Sequence, residues 1–171
     1  MTTTLIPISA ATSTSHVRNC WTELEIQRQA GHFCDVEIQC GGRVFPAHKC
    51  VLASVSKYFK AMFTTPLTVT SHSSTSVDLN SFSMNAVETF LNIVYTQNDI
   101  DTLLIADLIR LADFLQYEWL VGILVDAIRN LLDVDNVFEW WALANELNVS
   151  KLQLLTRYFI TDNFDQLQGV S

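Results

Sequence analysis

Histidine and cysteine are the side chains of this sequence best suited to chemistry, and His48 with Cys50 is the couple that most resembles a reactive pair. A thiolate can attack a substrate when an imidazole takes its proton and a third group orients the imidazole. Neighbouring positions on a helix point in different directions, and no orienting group stands near this couple, so no catalysis is expected there. A Gly-rich phosphate loop is missing as well. Zinc would need two close-spaced ligand pairs, and His16, His32, His48 and His72 beside Cys20, Cys34, Cys40 and Cys50 do not supply them. Neither metal nor cofactor is therefore expected. The cysteines form no CxxC pair and sit among core-type neighbours, which predicts buried, reduced thiols in an intracellular protein of the cytoplasm or nucleus.

The elements that must position these groups are set by composition and periodicity. With 49% hydrophobic residues in 171, the chain can bury one good core or a domain with a helical appendage. Ten Lys and Arg against 18 Asp and Glu leave a charge of -8, which makes nucleic acid and anionic membrane surfaces poor partners. Asp107, Arg110, Asp113 and Glu118 interrupt the apolar stretch 103–125, so no membrane span is predicted. The apolar Leu5-Ile6-Pro7-Ile8 is too short for the centre of a signal peptide.

Val17, Cys20, Trp21 and Leu24 recur at helical spacing and predict a helix ending near Gly31. Ile26 lies off that stripe, so the helix has one apolar contact to make with its own domain and another elsewhere. Val36, Ile38 and Cys40 alternate with polar residues before Gly41-Gly42 and Arg43-Val44-Phe45, the pattern of a β-hairpin. Leu52, Val55, Phe59, Met62 and Phe63 mark one face of a single helix, limited by Pro66. A Ser/Thr-rich loop then leads to the strand-like Ser76-Val77-Asp78-Leu79. Ser83 can cap a helix carrying Val87, Phe90, Leu91 and Val94. Leu104, Leu108, Leu111 and Leu115 mark the next helix, and a further one over 119–132 closes the first domain. Asp133 or Asp135 can cap a helix through Val137, Phe138, Trp141 and Leu147, with Val149, Leu152, Leu155 and Phe159 in another. Strands first and helices after predict an α+β fold. Trp140 and Trp141 are adjacent, so one must face away from the core. The apolar pattern runs on through Phe164 and Leu167 without a stop signal, as expected of a chain that continues in a longer protein.

The runs Cys34-Asp35-Val36-Glu37-Ile38, Phe45-Pro46-Ala47-His48-Lys49-Cys50-Val51-Leu52-Ala53-Ser54 and Tyr58-Phe59-Lys60-Ala61-Met62-Phe63 closely resemble the BTB/POZ signature. Val94-Tyr95-Thr96 and Ala112-Asp113-Phe114-Leu115-Gln116 are similar to that family's later helices, and Leu132-Asp133-Val134-Asp135-Asn136 through Tyr158-Phe159-Ile160 resembles the start of a BACK region, as in kelch-like proteins. The resemblance divides the chain into a lead or swapped strand at 1–16, a BTB/POZ domain at 17–131 and the first BACK helices at 132–171. It implies a small β-sheet flanked by helices, followed by an all-α helical hairpin.

What the resemblance implies for function is a non-catalytic homodimer. Val17, Trp21 and Leu24 on the first helix would meet the second copy, with Asp35 and Lys49 compensating one another near the dimer pocket and Leu5 to Ile8 supplying a swapped strand. Trp21 and Leu24 would stand wet in a lone chain, which is the physical motive for pairing. His48 resembles a packed histidine whose ring is hydrogen-bonded to the fold. In adaptors that hold the amino-terminal domain of Cullin-3, a hydrophobic residue, any residue and a Glu follow the Met-Phe helix; here these are Leu67, Thr68 and Val69, so the carboxylate is missing. Gln116 and Tyr117 resemble the other edge of that contact. The implied whole is a substrate adaptor of a Cullin-3 ubiquitin ligase, with the substrate protein bound by a downstream kelch domain. The alternative is a dimerising BTB scaffold of a cytoskeletal or transcription-associated protein with weak or no cullin binding, which Val69 favours.

Overall fold

Strand β1 (Val36–Cys40) sets the sheet, because Val36, Ile38 and Cys40 face the core while Glu37 and Gln39 face solvent. The computed structural model describes residues 10–65, 75–96 and 99–167. Gly41 and Gly42 both take positive φ, the backbone a tight hairpin demands, and return the chain as β2 (Arg43–Ala47), antiparallel to β1 with Ile38 opposite Phe45. A third strand, β3 (Thr75–Asp78), pairs parallel on the other side of β1, with Ile38 opposite Val77, so the order is β2-β1-β3. Parallel pairing needs a long crossover, and two helices, α2 (Lys49–Val55) and α3 (Lys57–Phe63), lie within it.

The single helix expected through Leu52 and Phe63 is thus two. Ser56 is extended at the break; its hydroxyl accepts from the Phe59 amide at 3.1 Å and donates to the Leu115 carbonyl at 2.6 Å. The apolar stripe survives this break, but a capping serine inside it gives the backbone a better option than continuing.

The long first helix α1 (Ala10–Gln29) packs on β2 and on α4 (Met84–Thr96). It ends as predicted at Gly31, where the amides of Gly31 and His32 bond back to the carbonyls of Arg28 and Gln27 and φ is 71°. Ser83 caps α4 through the Ala86 amide at 3.2 Å. Helices α5 (Ile105–Phe114) and α6 (Glu118–Leu131) close the domain, and α7 (Val137–Glu146) and α8 (Ser150–Asp162) form the expected hairpin, followed by the short α9 (Phe164–Leu167). The first of the hairpin's helices is not capped by an aspartate. Asp133 instead folds the preceding turn, its amide bonded to Asn136 Oδ1 and its carboxylate to the Val134 amide.

One core runs through both parts. Leu52, Phe59, Phe90, Leu108 and Leu115 are fully buried, and Leu143, Ala144, Val149 and Leu152 of the hairpin belong to the same cluster. Trp140 packs against it and Trp141 is exposed, as their adjacency required. Among the described residues no helix is long and apolar enough to cross a membrane.

Candidate protein-interaction surface

Helix α1 carries one set of exposed apolar residues. Trp21 and Leu24 pack, half-buried, against the chain's own core, so they are not the wet surface that the sequence implied. Among the described residues of α1, the exposed large apolar side chains are Val17, 49% accessible, and Ile26, 53% accessible. A groove of about 470 Å³ between α1 and the end of α4 joins the two, with Trp21, Tyr95 and Thr96 also in its wall.

The same helix buries a charge pair that its apolar pattern does not announce. Arg28 and Glu25 form a bidentate bridge, Nε to Oε2 and Nη2 to Oε1 both at 2.7 Å, with only 9% of each side chain accessible. Gln29 donates to Glu25 Oε1 at 2.8 Å, and the guanidinium lies 5.2 Å from the Tyr95 ring centre. The charges are paired and hydrogen-bonded, which makes their burial tolerable.

Asp35 and Lys49 come together, but not as charges. Asp35 Oδ1 accepts the backbone amide of Lys49 at 2.7 Å, so the exposed carboxylate serves the open end of α2. The Lys49 ammonium turns instead toward the Phe63 ring, 5.9 Å from its centre. No side-chain ion pair joins the two, and the expected charge compensation does not occur within one chain.

His48 is buried and fully engaged. Its Nε2 faces the His32 carbonyl at 3.0 Å, an acceptor only, so that nitrogen carries the proton. Nδ1 then accepts from the Tyr95 hydroxyl at 3.0 Å, and that hydroxyl accepts the His48 amide at 3.0 Å. Burial pushes the Tyr95 phenol far above its usual range, which keeps it a donor. Cys34, not Cys50, is the thiol beside this imidazole, at 3.7 Å. Burial raises its pKa and the nearby ring nitrogen is already committed to a carbonyl, so the arrangement does not make a nucleophile. Tyr95→Phe should cost about 1–3 kcal/mol in urea unfolding, because two buried polar groups lose their partner at once.

The expectation of buried cysteines holds for Cys40 alone; Cys34 is half-buried, and Cys20 and Cys50 are exposed. Cys20 lies on an exposed stretch of α1 and Cys50 in the first turn of α2, so both thiols face solvent.

A second surface forms where α3 meets the turn between α5 and α6. Phe114, 44% accessible, lies with its ring centre 4.9 Å from that of Tyr58 and 5.1 Å from that of Phe82. Gln116 turns the chain with a φ of 53°, and Tyr117 stacks on Trp119 at 5.7 Å while its edge meets Phe90. Beside them a groove of about 380 Å³ separates Lys57, Asp113, Gln116 and Tyr117 from Ser150 and Lys151 at the start of α8. Leu67, Thr68 and Val69 lie outside the described residues, as do Leu5 to Ile8.

Burial raises the Asp113 carboxyl above the ordinary range. The folded chain therefore holds that proton more tightly than the unfolded chain, and stability falls as pH rises from the unfolded carboxyl pKa through the raised folded one. Asp113→Asn should remove that loss: its urea midpoint at neutral pH should exceed that of the parent, and the difference should vanish in acid.

The sequence matches the BTB/POZ domain family over residues 24–132. Among solved structures, the chain is similar to the BTB domain of zebrafish PATZ1, at 25% sequence identity and a TM-score of 0.62, with 75% of this chain and 99% of that chain covered.

Proposed function

Because the chain belongs to the BTB/POZ domain family, whose members are modules for protein interaction and dimerisation, we propose that it pairs with a second copy through α1 and uses the surface around Phe114 to hold the amino-terminal domain of Cullin-3. The observation that carries this reading is the pairing of two separate apolar surfaces on one fold, Val17 with Ile26 on α1 and Tyr58 with Phe114 at the α5–α6 turn. Val17, Trp21 and Leu24 share the helix that would face the second copy; Asp35 and Lys49 hold the adjoining strand and helix in place. Gln116 and Tyr117 edge the cullin surface, and the hairpin α7–α8, with the groove of Ser150 and Lys151, enlarges it in the manner of a BACK region. Leu67, Thr68 and Val69, which the resemblance assigns to the same contact, lie outside the described residues, and a substrate protein is taken by a downstream kelch domain. Two substrate sites on one dimer raise the effective local concentration, so weak contacts add up to avidity.

A second reading, a dimeric scaffold of a cytoskeletal or transcription-associated protein, is favoured by Val69, since the carboxylate expected of a cullin adaptor is replaced there by an apolar side chain. Calorimetric titration with the purified Cullin-3 amino-terminal domain separates the two. Saturable binding that weakens at least about tenfold in Phe114→Glu, worth about 1.4 kcal/mol, supports the adaptor. No saturable binding by the parent chain removes it and leaves the scaffold.

A further inference from the structure

His16 and Cys20 lie one helical turn apart on the exposed first half of α1, with Cys20 Sγ 3.7 Å from His16 Nε2. Zinc–sulfur and zinc–nitrogen bonds of about 2.3 and 2.0–2.1 Å, meeting at a tetrahedral angle, hold S and N about 3.5–3.6 Å apart. The pair thus already has the bite of half a tetrahedral site, and both residues are exposed. No third His, Cys, Asp or Glu joins them among the described residues, so one chain supplies two ligands and the remaining two must come from elsewhere. Residues 15–20 are all exposed and Trp21 after them is half-buried, so this stretch of α1 stands clear of its own domain. Val17, also exposed, is next to His16 in sequence and one turn before Cys20. Four-residue spacing puts His16 and Cys20 on one face of α1, about 80° of helix rotation from Val17, so a two-fold contact of antiparallel helices whose axis passes near this turn sets the two His16–Cys20 pairs on the same flank of the seam.

We propose that His16 and Cys20 of two copies together bind one divalent zinc ion, a Cys2His2 site that is complete only in the dimer. The proposal rests on the α1-mediated pairing described above. Each thiol gives up its proton as the Zn–S bond forms, so two protons leave for each ion bound, and the neutral imidazoles coordinate through Nε2. The ion ties the two helices at their free halves and makes self-association depend on metal and pH.

The test uses the full chain with Cys50→Ser, which removes the other exposed thiol, in a phosphine reductant. Sedimentation and cobalt(II) spectroscopy are run with chelator and with added zinc or cobalt. One cobalt per two chains, with the absorption of a tetrahedral thiolate site, is expected, together with at least tenfold tighter dimerisation in metal. His16→Ala and Cys20→Ser, both at exposed positions, should each abolish the spectrum and the metal dependence while leaving the circular dichroism unchanged. A dimer whose affinity ignores metal overturns the zinc site and leaves the pairing intact. A monomer both with and without metal overturns both. Tetrahedral absorption that persists in His16→Ala places the metal on other ligands and also overturns the assignment.

Discussion

Arg28→Ala should lower the free energy of unfolding by about 3–5 kcal/mol, because it strands the Glu25 carboxylate in a site with 9% of its side chain accessible. Gln29 would still donate to Glu25 Oε1, but one neutral donor does not replace a bidentate guanidinium. The Tyr95 ring would lose the cation that lies 5.2 Å from its centre. Urea unfolding measures the loss, and two controls identify its origin. Added salt should change it little, since a buried pair is poorly screened. Replacing both charges with apolar residues, as Glu25→Leu with Arg28→Met, should recover most of the stability. A loss below about 1 kcal/mol in Arg28→Ala is what a solvated surface pair would give and would overturn the account.

Val17→Asp combined with Ile26→Asp should weaken self-association by at least about 100-fold, or about 2.7 kcal/mol. Full burial of one such aliphatic side chain is worth about 1.5–3 kcal/mol, and a symmetric contact uses each residue twice. The substitution also brings like charges together in a chain that already carries a net charge of -8. Because both side chains are about half exposed, the unfolding midpoint of the isolated chain should not move with them. Analytical ultracentrifugation reads the dissociation constant directly. Single particles from the parent chain at micromolar concentration, in chelator and in zinc alike, would remove dimerisation through α1.

Much of the fold was legible because its elements rest on local signals. The alternation in Val36, Ile38 and Cys40, the Gly41-Gly42 turn, the Ser83 cap and the Gly31 stop each act over a few residues, and each appears where expected. The break at Ser56 was hidden because the apolar stripe is the same on both sides of it; besides the local cap on the Phe59 amide, the bend is rewarded by the Leu115 carbonyl, far along the chain. Glu25 and Arg28 were missed for a related reason. Trp21, Leu24, Glu25 and Arg28 share one helical stripe, a spacing signal that was present, yet charged residues on such a stripe are ordinarily solvated.

The candidate surfaces divide in the same way. Residue types and spacing alone determined that this chain holds a hairpin, a set of amphipathic helices and an α1 with two apolar sides. Only the tertiary structure decided which side each residue serves: that Trp21 and Leu24 turn inward while Val17 and Ile26 remain outside, that Asp35 caps a helix instead of meeting the Lys49 ammonium, and that Cys34 rather than Cys50 sits beside His48. The physical reason is range. Propensity, capping and periodicity act within a turn or two of the chain, whereas burial and the pairing of polar groups depend on segments that meet only after the sheet and helices have packed.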